Sequence, residues 1–280
     1  MVTRPLRTIE HGAHGAPIAL LLHGLPGGAE DWDRLGPRLA GRFRVVAVDR
    51  PGYGGSGEDP LSIPDQIDAY AALLRERAAH SAAPALVVGH SYGAVPAAGL
   101  AARHPDLVGA LGLVAPALRD DDRELPPGFD GLAKLMVKPA VGEFLKATLL
   151  SQAGRTLIAK VTDPMSFHPD EVDPDHLAGV RDRTLQWNAF RSFWLEARAM
   201  RRESAEVESH LGALHVPAAV IHAPGDRVVD PAAGFRTAAS IPRCTHHETG
   251  GGHMLTISRA DEVAELLLAL ADRAEVFAAG

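Results

Sequence analysis

The segment Gly89–Gly93 (GHSYG) constrains the fold more than any other part of the sequence, because of the residues on either side of it. The apolar run 85–88 before it is typical of a buried strand, and the alanine-rich stretch after it predicts a helix from Tyr92 to Arg103. A serine at a sharp strand-to-helix turn projects its hydroxyl away from the sheet, and flanking glycines leave room for the tight backbone. This context predicts that Ser91 is a nucleophile. The alternative is an ordinary Gly-Ser loop at a strand end.

Strand and helix patterns alternate along most of the chain. Apolar runs predict buried strands at 18–22, 44–49, 107–114 and 217–222, and shorter strands are expected at 6–10 and 245–248. Helical patterns lie between them, among others at 30–40 and 231–240, and a closing helix is expected to begin at Ser258. The alternation indicates the α/β class, with a doubly wound, mostly parallel sheet and helices on both faces.

The alternation stops after Pro116 and resumes at Pro217. Residues 117–207 contain no buried strand pattern, and their helical patterns lie at 132–137, 143–150 and 177–206. We expect residues 1–116 and 208–280 to form the core. The insertion at 117–207 is expected to form an all-helical lid over the carboxyl ends of the strands, where such folds bind ligands.

A serine is a weak nucleophile without a base, and the base needs an orienting partner. Asp226 follows the strand that ends at Ile221, and His253 follows the next strand in a glycine-rich loop, so both are expected at the sheet edge that carries Ser91. The order Ser, Asp, His along the chain matches the order associated with this strand–turn–helix pattern. We predict that Ser91 attacks, that His253 takes and returns its proton, and that Asp226 orients the imidazole.

The other acids and histidines near these positions are interpreted as structural. Asp230 is a second candidate acid, but it is better explained as the N-cap of the helix that begins at Pro231. His90 is expected to be a core spacer, and packing or surface positions are expected for His222, His246 and His247. None of the 14 histidines shows the spacing of a metal site on one element, so no metal is expected.

A tetrahedral intermediate needs hydrogen-bond donors for its oxyanion. The backbone N–H of Tyr92 starts the helix after the serine, where the helix dipole favours negative charge. The second donor is expected from the loop 23–28, which follows the first buried strand. Leu25 is the predicted residue there, because Pro26 has no N–H to donate.

Composition excludes several other classes of protein. The 28 basic and 35 acidic residues give a formal charge of −7 without a basic patch, so no nucleic-acid partner is expected. The single cysteine, Cys244, excludes an internal disulfide framework. No signal peptide is visible and no apolar run approaches the ~20 residues of a membrane span, which predicts a cytoplasmic protein without a membrane partner. The glycine-dense loop 50–57 lacks the residues of a phosphate-binding motif, so no cofactor is expected. The sequence does not indicate the oligomeric state.

Five motifs together resemble the α/β-hydrolase superfamily. They occur in the family's order on both sides of the insertion, as HGLPGG at 23–28, DRPGYG at 49–54, GHSYG at 89–93, GDR at 225–227 and GH at 252–253. The resemblance implies the α/β-hydrolase fold with Ser91, Asp226 and His253 as a triad, and the Leu25 and Tyr92 amides as an oxyanion hole. The N-terminus departs from the family pattern, since members often begin with two extra antiparallel strands and this chain has room for one.

Subfamilies of the α/β-hydrolase superfamily differ in the residues in or beside these motifs, so this chain can be compared with each of them. Haloalkane dehalogenases and epoxide hydrolases carry an aspartate nucleophile in place of Ser91. Haloperoxidase members usually have a methionine after the serine and an aromatic residue at the first oxyanion position, where this chain has Tyr92 and Leu25. Hydrolases of ring-cleavage products commonly show a tryptophan where this chain has Met254, and hydroxynitrile lyases need a nearby lysine. Proline iminopeptidases share the HGxPGG loop but have Asp-Gln-Arg-Gly in place of Asp49–Gly52.

An esterase-like hydrolase is left by this comparison. We expect it to cleave an ester, a thioester or a lactone of a small-to-medium apolar molecule through an acyl-serine intermediate. The alternatives are a carbon–carbon hydrolase, lyase or cyclase with the same triad, a proline-iminopeptidase-like peptidase, and a ligand-binding member without catalysis.

Aromatic residues are concentrated in the long helical pattern of the insertion. Most of these rings are expected to pack the insertion onto the core, and one or two are expected to line a substrate pocket. Together with two residues beside the predicted acid and histidine, the predicted substrate-binding set is Trp187, Phe190, Trp194, Val228 and Met254.

Overall fold

The structure is a computed structural model that describes residues 5–57, 59–77, 83–119, 129–138 and 186–278, with scattered positions between 141 and 182. Its centre is a sheet of seven strands: β1 (Thr8–His11), β2 (Ile18–Leu22), β3 (Arg44–Val48), β4 (Ala85–His90), β5 (Val108–Val114), β6 (Ala218–His222) and β7 (Cys244–Glu248). The strands lie in the order β1-β3-β2-β4-β5-β6-β7. β1 pairs antiparallel with β3, and every other neighbouring pair is parallel. The predicted doubly wound, mostly parallel sheet is confirmed.

The strand order reverses between β2 and β4. The chain runs outward from β2 to β3, returns to place β4 on the other side of β2, and then continues outward through β5 to β7. Leu22 pairs with Gly89, so β2 and β4 end at the same height. In open parallel sheets, ligands bind outside the carboxyl ends of the strands at such a switch point. The loops that follow β2 and β4 are therefore placed together where a ligand is expected.

Helices cover both faces of the sheet. Their bounds are α1 (Gly36–Leu39), α2 (Ile63–Arg77), α3 (Ala94–Arg103), α4 (Phe129–Met136), α5 (Trp187–Ser209), α6 (Pro231–Ala239), α7 (Leu255–Ser258) and α8 (Ala260–Ala278). Successive residues of a strand face opposite sides of a sheet. Accordingly Leu20 and Leu22 pack with the α2 and α3 side, whereas Ala19 and Leu21 pack with the α1 and α8 side. The continuous apolar runs in the sequence are thus explained by burial on both faces.

Three predicted helices differ from the observed ones. The helix expected at 30–40 is instead a 3₁₀ turn at Ala29–Trp32 followed by α1, which begins at Gly36 and holds Pro37 in its first turn, where a proline is tolerated. The closing helix, expected from Ser258, begins at Ala260, because Arg259 leaves the helical region; the short α7 precedes it. The long helix expected from 177 is interrupted at Gln186, whose backbone is extended, and α5 begins after it at Trp187. Most of 177–185 lies outside the described residues.

The insertion is described in part. α4 overlaps the helical pattern predicted at 132–137, and α4 and α5 contact each other. The pattern predicted at 143–150 lies largely outside the described residues. α5 also packs against α3, the helix that follows Ser91. The division into core and lid stays a prediction.

Candidate active site

The turn at Ser91 has a backbone that few residues adopt. Ser91 has a φ of 53°, in the left-handed region, and begins a 3₁₀ turn that leads into α3. A Cβ on Gly89 would lie 2.4 Å from the Gly93 carbonyl oxygen, and one on Gly93 would lie 2.3 Å from the Leu22 oxygen. Both glycines are therefore required by close backbone approach, as the sequence predicted. A non-glycine residue in this conformation is strained, and such strain clusters at functional sites.

The predicted acid and the predicted base are hydrogen-bonded to each other. Asp226 Oδ2 lies 2.7 Å from Nδ1 of His253, and both side chains are buried. The other carboxylate oxygen, Oδ1, accepts from the backbone N–H groups of Val228 at 2.7 Å and Val229 at 3.0 Å. Because the carboxylate only accepts, Nδ1 carries the proton in a neutral imidazole, and Nε2 is left as an acceptor.

The charge state of Asp226 follows from its surroundings. Burial alone would raise the pKa of this carboxyl, but the hydrogen bonds from His253 and from the Val228 and Val229 amides outweigh burial, so its pKa is lowered. Asp226 is thus a carboxylate at neutral pH and is able to stabilise a cation on the imidazole.

His253 is also tied to the turn that carries Ser91. His90, the residue before Ser91, places Nε2 at 3.0 Å from the His253 carbonyl oxygen, and the two rings lie 4.9 Å apart. Burial, followed by the nearby His253, lowers the pKa of His90 to about 3. His90 is therefore a neutral, buried spacer between the turn and the His253 loop, as predicted.

The loop 23–28 after β2 lies directly against Ser91. A Cβ built on Gly24 would come within 3.0 Å of the Ser91 Cβ and 3.1 Å of His90 Nδ1. A side chain at position 24 has no room there, so the loop's backbone is able to approach Ser91 closely. Leu25, the predicted oxyanion donor, follows Gly24 and is half-buried.

A buried polar network beside this loop was not predicted from the sequence. Arg50 forms a two-pronged ion pair with Glu196 of α5, with Nη1–Oε1 at 2.8 Å and Nη2–Oε2 at 2.9 Å. Tyr53 and Gln66 also donate to Glu196, at 2.6 and 3.0 Å. The available signal was a polar residue at every fourth position of α5, since Asn188, Ser192 and Glu196 share one helix face.

A match to a family of known proteins covers most of the chain. The model of the alpha/beta hydrolase family matches residues 19–266. The chain belongs to this family.

Individual hydrolases of several activities are similar to this one. The pimeloyl-acyl-carrier-protein methyl ester esterase of Chromobacterium violaceum is 32% identical over 234 residues, which cover 83% of this chain and 85% of that one. Epoxide hydrolase A of Mycobacterium tuberculosis is 39% identical over 121 residues, which cover 40% of this chain and 36% of that one. Among solved structures, the enol-lactonase of Burkholderia xenovorans LB400 has a TM-score of 0.74 at 22% identity and covers 95% of this chain and 96% of its own. A thermophilic esterase of Thermogutta terrifontis has a TM-score of 0.76 at 20% identity and covers 96% and 93%.

The predicted substrate-binding residues of the hydrolase fall into two groups. Phe190 and Trp194 are half-buried on α5, with their ring centroids 6.2 Å apart in an edge-to-face arrangement. Trp187 is the first residue of α5, and its side chain lies outside the described part of the structure. Val228 and Met254 are half-buried and flank the Asp226–His253 pair in sequence. Their contact with a substrate stays a prediction.

Asp230, His222 and His246 occupy structural positions. Asp230 accepts a hydrogen bond from the Ala232 N–H at 3.0 Å and caps α6, as predicted. His222 Nδ1 lies 2.9 Å from His246 Nε2, which joins β6 to β7. Within the described residues, no cluster of three histidine, cysteine or acidic side chains has the arrangement of a metal site. The helices searched in the same part of the chain include none that is long and apolar enough to cross a membrane.

Proposed function

We propose that this family member is a serine hydrolase that cleaves a carboxylic ester, a thioester or a lactone of a small-to-medium apolar molecule. The observation that carries the proposal is the buried hydrogen bond of 2.7 Å between Asp226 and His253, together with the contact of His253 with His90, the residue before Ser91. A carboxylate that orients a histidine, in a chain that also holds a serine at a strained strand-to-helix turn, is the combination that acyl transfer requires. The names of the similar esterase and lactonase support the same class of bond.

The reaction proceeds in two acyl-transfer steps. The hydroxyl oxygen of Ser91 attacks the carbonyl carbon while Nε2 of His253 takes its proton, and Asp226 stabilises the resulting imidazolium. The negative oxygen of the tetrahedral intermediate accepts hydrogen bonds from the backbone N–H groups of Leu25 and Tyr92. The intermediate collapses, the carbon–oxygen or carbon–sulfur bond breaks, and His253 gives its proton to the leaving group. Water then attacks the acyl-serine by the same route and releases the acid.

The insertion selects the substrate in this proposal. Residues 117–207 form a helical lid that places the aromatic side chains of α5, among them Phe190 and Trp194, over the carboxyl ends of the strands. Apolar rings on α5, and a half-buried Met254 that follows His253 in sequence, favour an apolar acyl or alcohol group.

A fluorophosphonate probe tests the proposal, because it labels only a serine that is activated for attack. We expect one label per chain, located on Ser91 by peptide mapping, and no label in Ser91→Ala, with ester turnover reduced about 10⁶-fold. Ser209→Ala, at the exposed end of α5, is the matched control and should label normally. Absence of both labelling and turnover across a panel of esters, thioesters and lactones would refute the proposal.

A further inference from the structure

Arg50 and Glu196 form an ion pair that is almost completely buried. The side chain of Arg50 has no exposed surface, and that of Glu196 is 3% exposed. Two charges taken out of water are costly unless each is fully paired and hydrogen-bonded. Glu196 meets this condition through Arg50, Tyr53 and Gln66, so its carboxylate is held in one orientation.

The ion pair depends on the docking of α5. Glu196 lies on the same helix face as Asn188 and Ser192, which donate to the carbonyl oxygens of Gly54 at 3.0 Å and Gly52 at 2.8 Å. These three side chains fasten α5 to the glycine-dense loop that begins at Arg50. The position of Arg50 is therefore coupled to the position of α5.

The guanidinium of Arg50, besides pairing with Glu196, also reaches the loop beside Ser91. Its Nη2 donates to the carbonyl oxygen of Gly24 at 3.1 Å. The same oxygen accepts from Nδ1 of His23 at 2.9 Å, because Nε2 of His23 accepts from the Arg50 backbone N–H at 2.9 Å. Burial, with Arg50 second, lowers the pKa of His23 well below its ordinary value, so the ring stays neutral in this role. The Gly24 carbonyl is thus held by two donors.

Holding this carbonyl also sets the direction of an N–H group. The Gly24 C=O and the Leu25 N–H belong to one planar peptide and point in opposite directions. Gly24 is in close contact with Ser91, so any rotation of this peptide moves the Leu25 N–H relative to the reacting serine. Oxyanion stabilisation depends on donors fixed in advance at the right place.

We infer that Glu196 and Arg50 are positioning residues, which fix the Gly24–Leu25 peptide so that the Leu25 N–H is aimed at the oxyanion. The inference rests on the proposed function and deepens it, because it gives α5 a part in assembling the site. Arg50 also lies 4.7 Å from the ring centroid of Tyr92, the residue of the other predicted donor. Docked α5 completes the oxyanion hole, and displaced α5 leaves the Leu25 peptide without the Arg50 hydrogen bond.

The test compares two carboxylates of the same helix. Glu196→Gln removes the charge that orients Arg50. Glu203→Gln is the matched control, since Glu203 is on α5 and accepts from the Ile63 N–H at 2.8 Å, at the start of α2. We expect Glu196→Gln to lower kcat on an ester, and the maximal rate of fluorophosphonate labelling, by about 10²-fold with little change in KM. Glu203→Gln should stay within about twofold of the wild type on the same constants, because it touches neither Arg50 nor Gly24 in the contacts described.

A second variant covers the case in which Glu196→Gln does not fold. Arg50→Lys keeps a buried cation but has no planar fork, and it is expected to lose the bond to Gly24 and to lower kcat with KM retained. Equal kcat in Glu196→Gln and Glu203→Gln, or a change in melting temperature with kcat retained in Arg50→Lys, would overturn the inference alone. A wild type and a Glu203→Gln variant that both fail to label at Ser91 would overturn the proposed function, and the inference with it.

Discussion

The inner strands of the sheet and the ion pair of the α5–loop interface are both buried, yet they are built from opposite kinds of residue. We use the name α5–loop interface for Arg50, Gly52 and Gly54 where they meet α5. β2 is buried along its whole length and carries only apolar side chains. β4 and β6 are also buried throughout, and each ends in a histidine. The interface is made of a charged pair, an amide, a hydroxyl and backbone carbonyls.

The difference separates two functions of burial. Apolar burial is non-directional and roughly proportional to area, so it stabilises the sheet without depending on any single partner. A buried ion pair depends on both partners and on one geometry. The sheet therefore supplies a rigid frame for Ser91, whereas the interface specifies one position for α5. Changes of charge should affect the interface, and changes of volume should affect the sheet.

Removing one charge of the interface is expected to give the largest loss of stability. Arg50→Met leaves Glu196 buried without a cation, and we expect the free energy of unfolding to fall by about 3–5 kcal/mol. The double variant Arg50→Met/Glu196→Leu should recover most of this loss, because no charge is left unpaired. Urea unfolding followed by circular dichroism measures both. A double variant less stable than the single one would show that the pair is not the source of the loss.

The sheet and the turn could be predicted because their signals are local. The buried strands appear in the sequence as apolar runs. The turn at Ser91 appears as two glycines, where a side chain would collide with the turn itself or with the end of the adjacent strand β2. The Asp226–His253 pair was also predicted, since both follow strands that end at one edge. In each case the position of the residues follows from the strand that precedes them.

The interface could not be predicted because its partners are distant in sequence. Arg50 and Glu196 are separated by 146 positions, and no periodic pattern links one residue of a loop to one of a helix. The break before α5 was missed for a related reason. Helical periodicity continues through 177–186, and only the extended backbone of Gln186 ends it.

A change of volume in the sheet is expected to give the next largest effect. Leu111 of β5 has no exposed surface and lies in the cluster under α3. Leu111→Ala should lower the free energy of unfolding by about 2–5 kcal/mol, because a cavity remains. Leu111→Met keeps the volume and should cost less than about 1.5 kcal/mol. Equal losses in the two variants would mean that the sheet, like the interface, depends on the identity of the side chain.

His90 is the polar exception at the end of β4, and it gives the smallest and most specific effect. Its pKa is about 3 in the folded chain and near 6.5 when unfolded, so between these values the unfolded chain binds the additional proton. Stability from this residue is therefore present above pH 6.5 and is lost as pH falls, by up to about 1.4 kcal/mol per pH unit. His90→Gln retains a donor for the His253 carbonyl but cannot be protonated, so its free energy of unfolding should fall less steeply between pH 6 and pH 4. His23 is present in both proteins, and the difference between their slopes in urea unfolding isolates His90. Parallel slopes would mean that folding does not lower the pKa of His90.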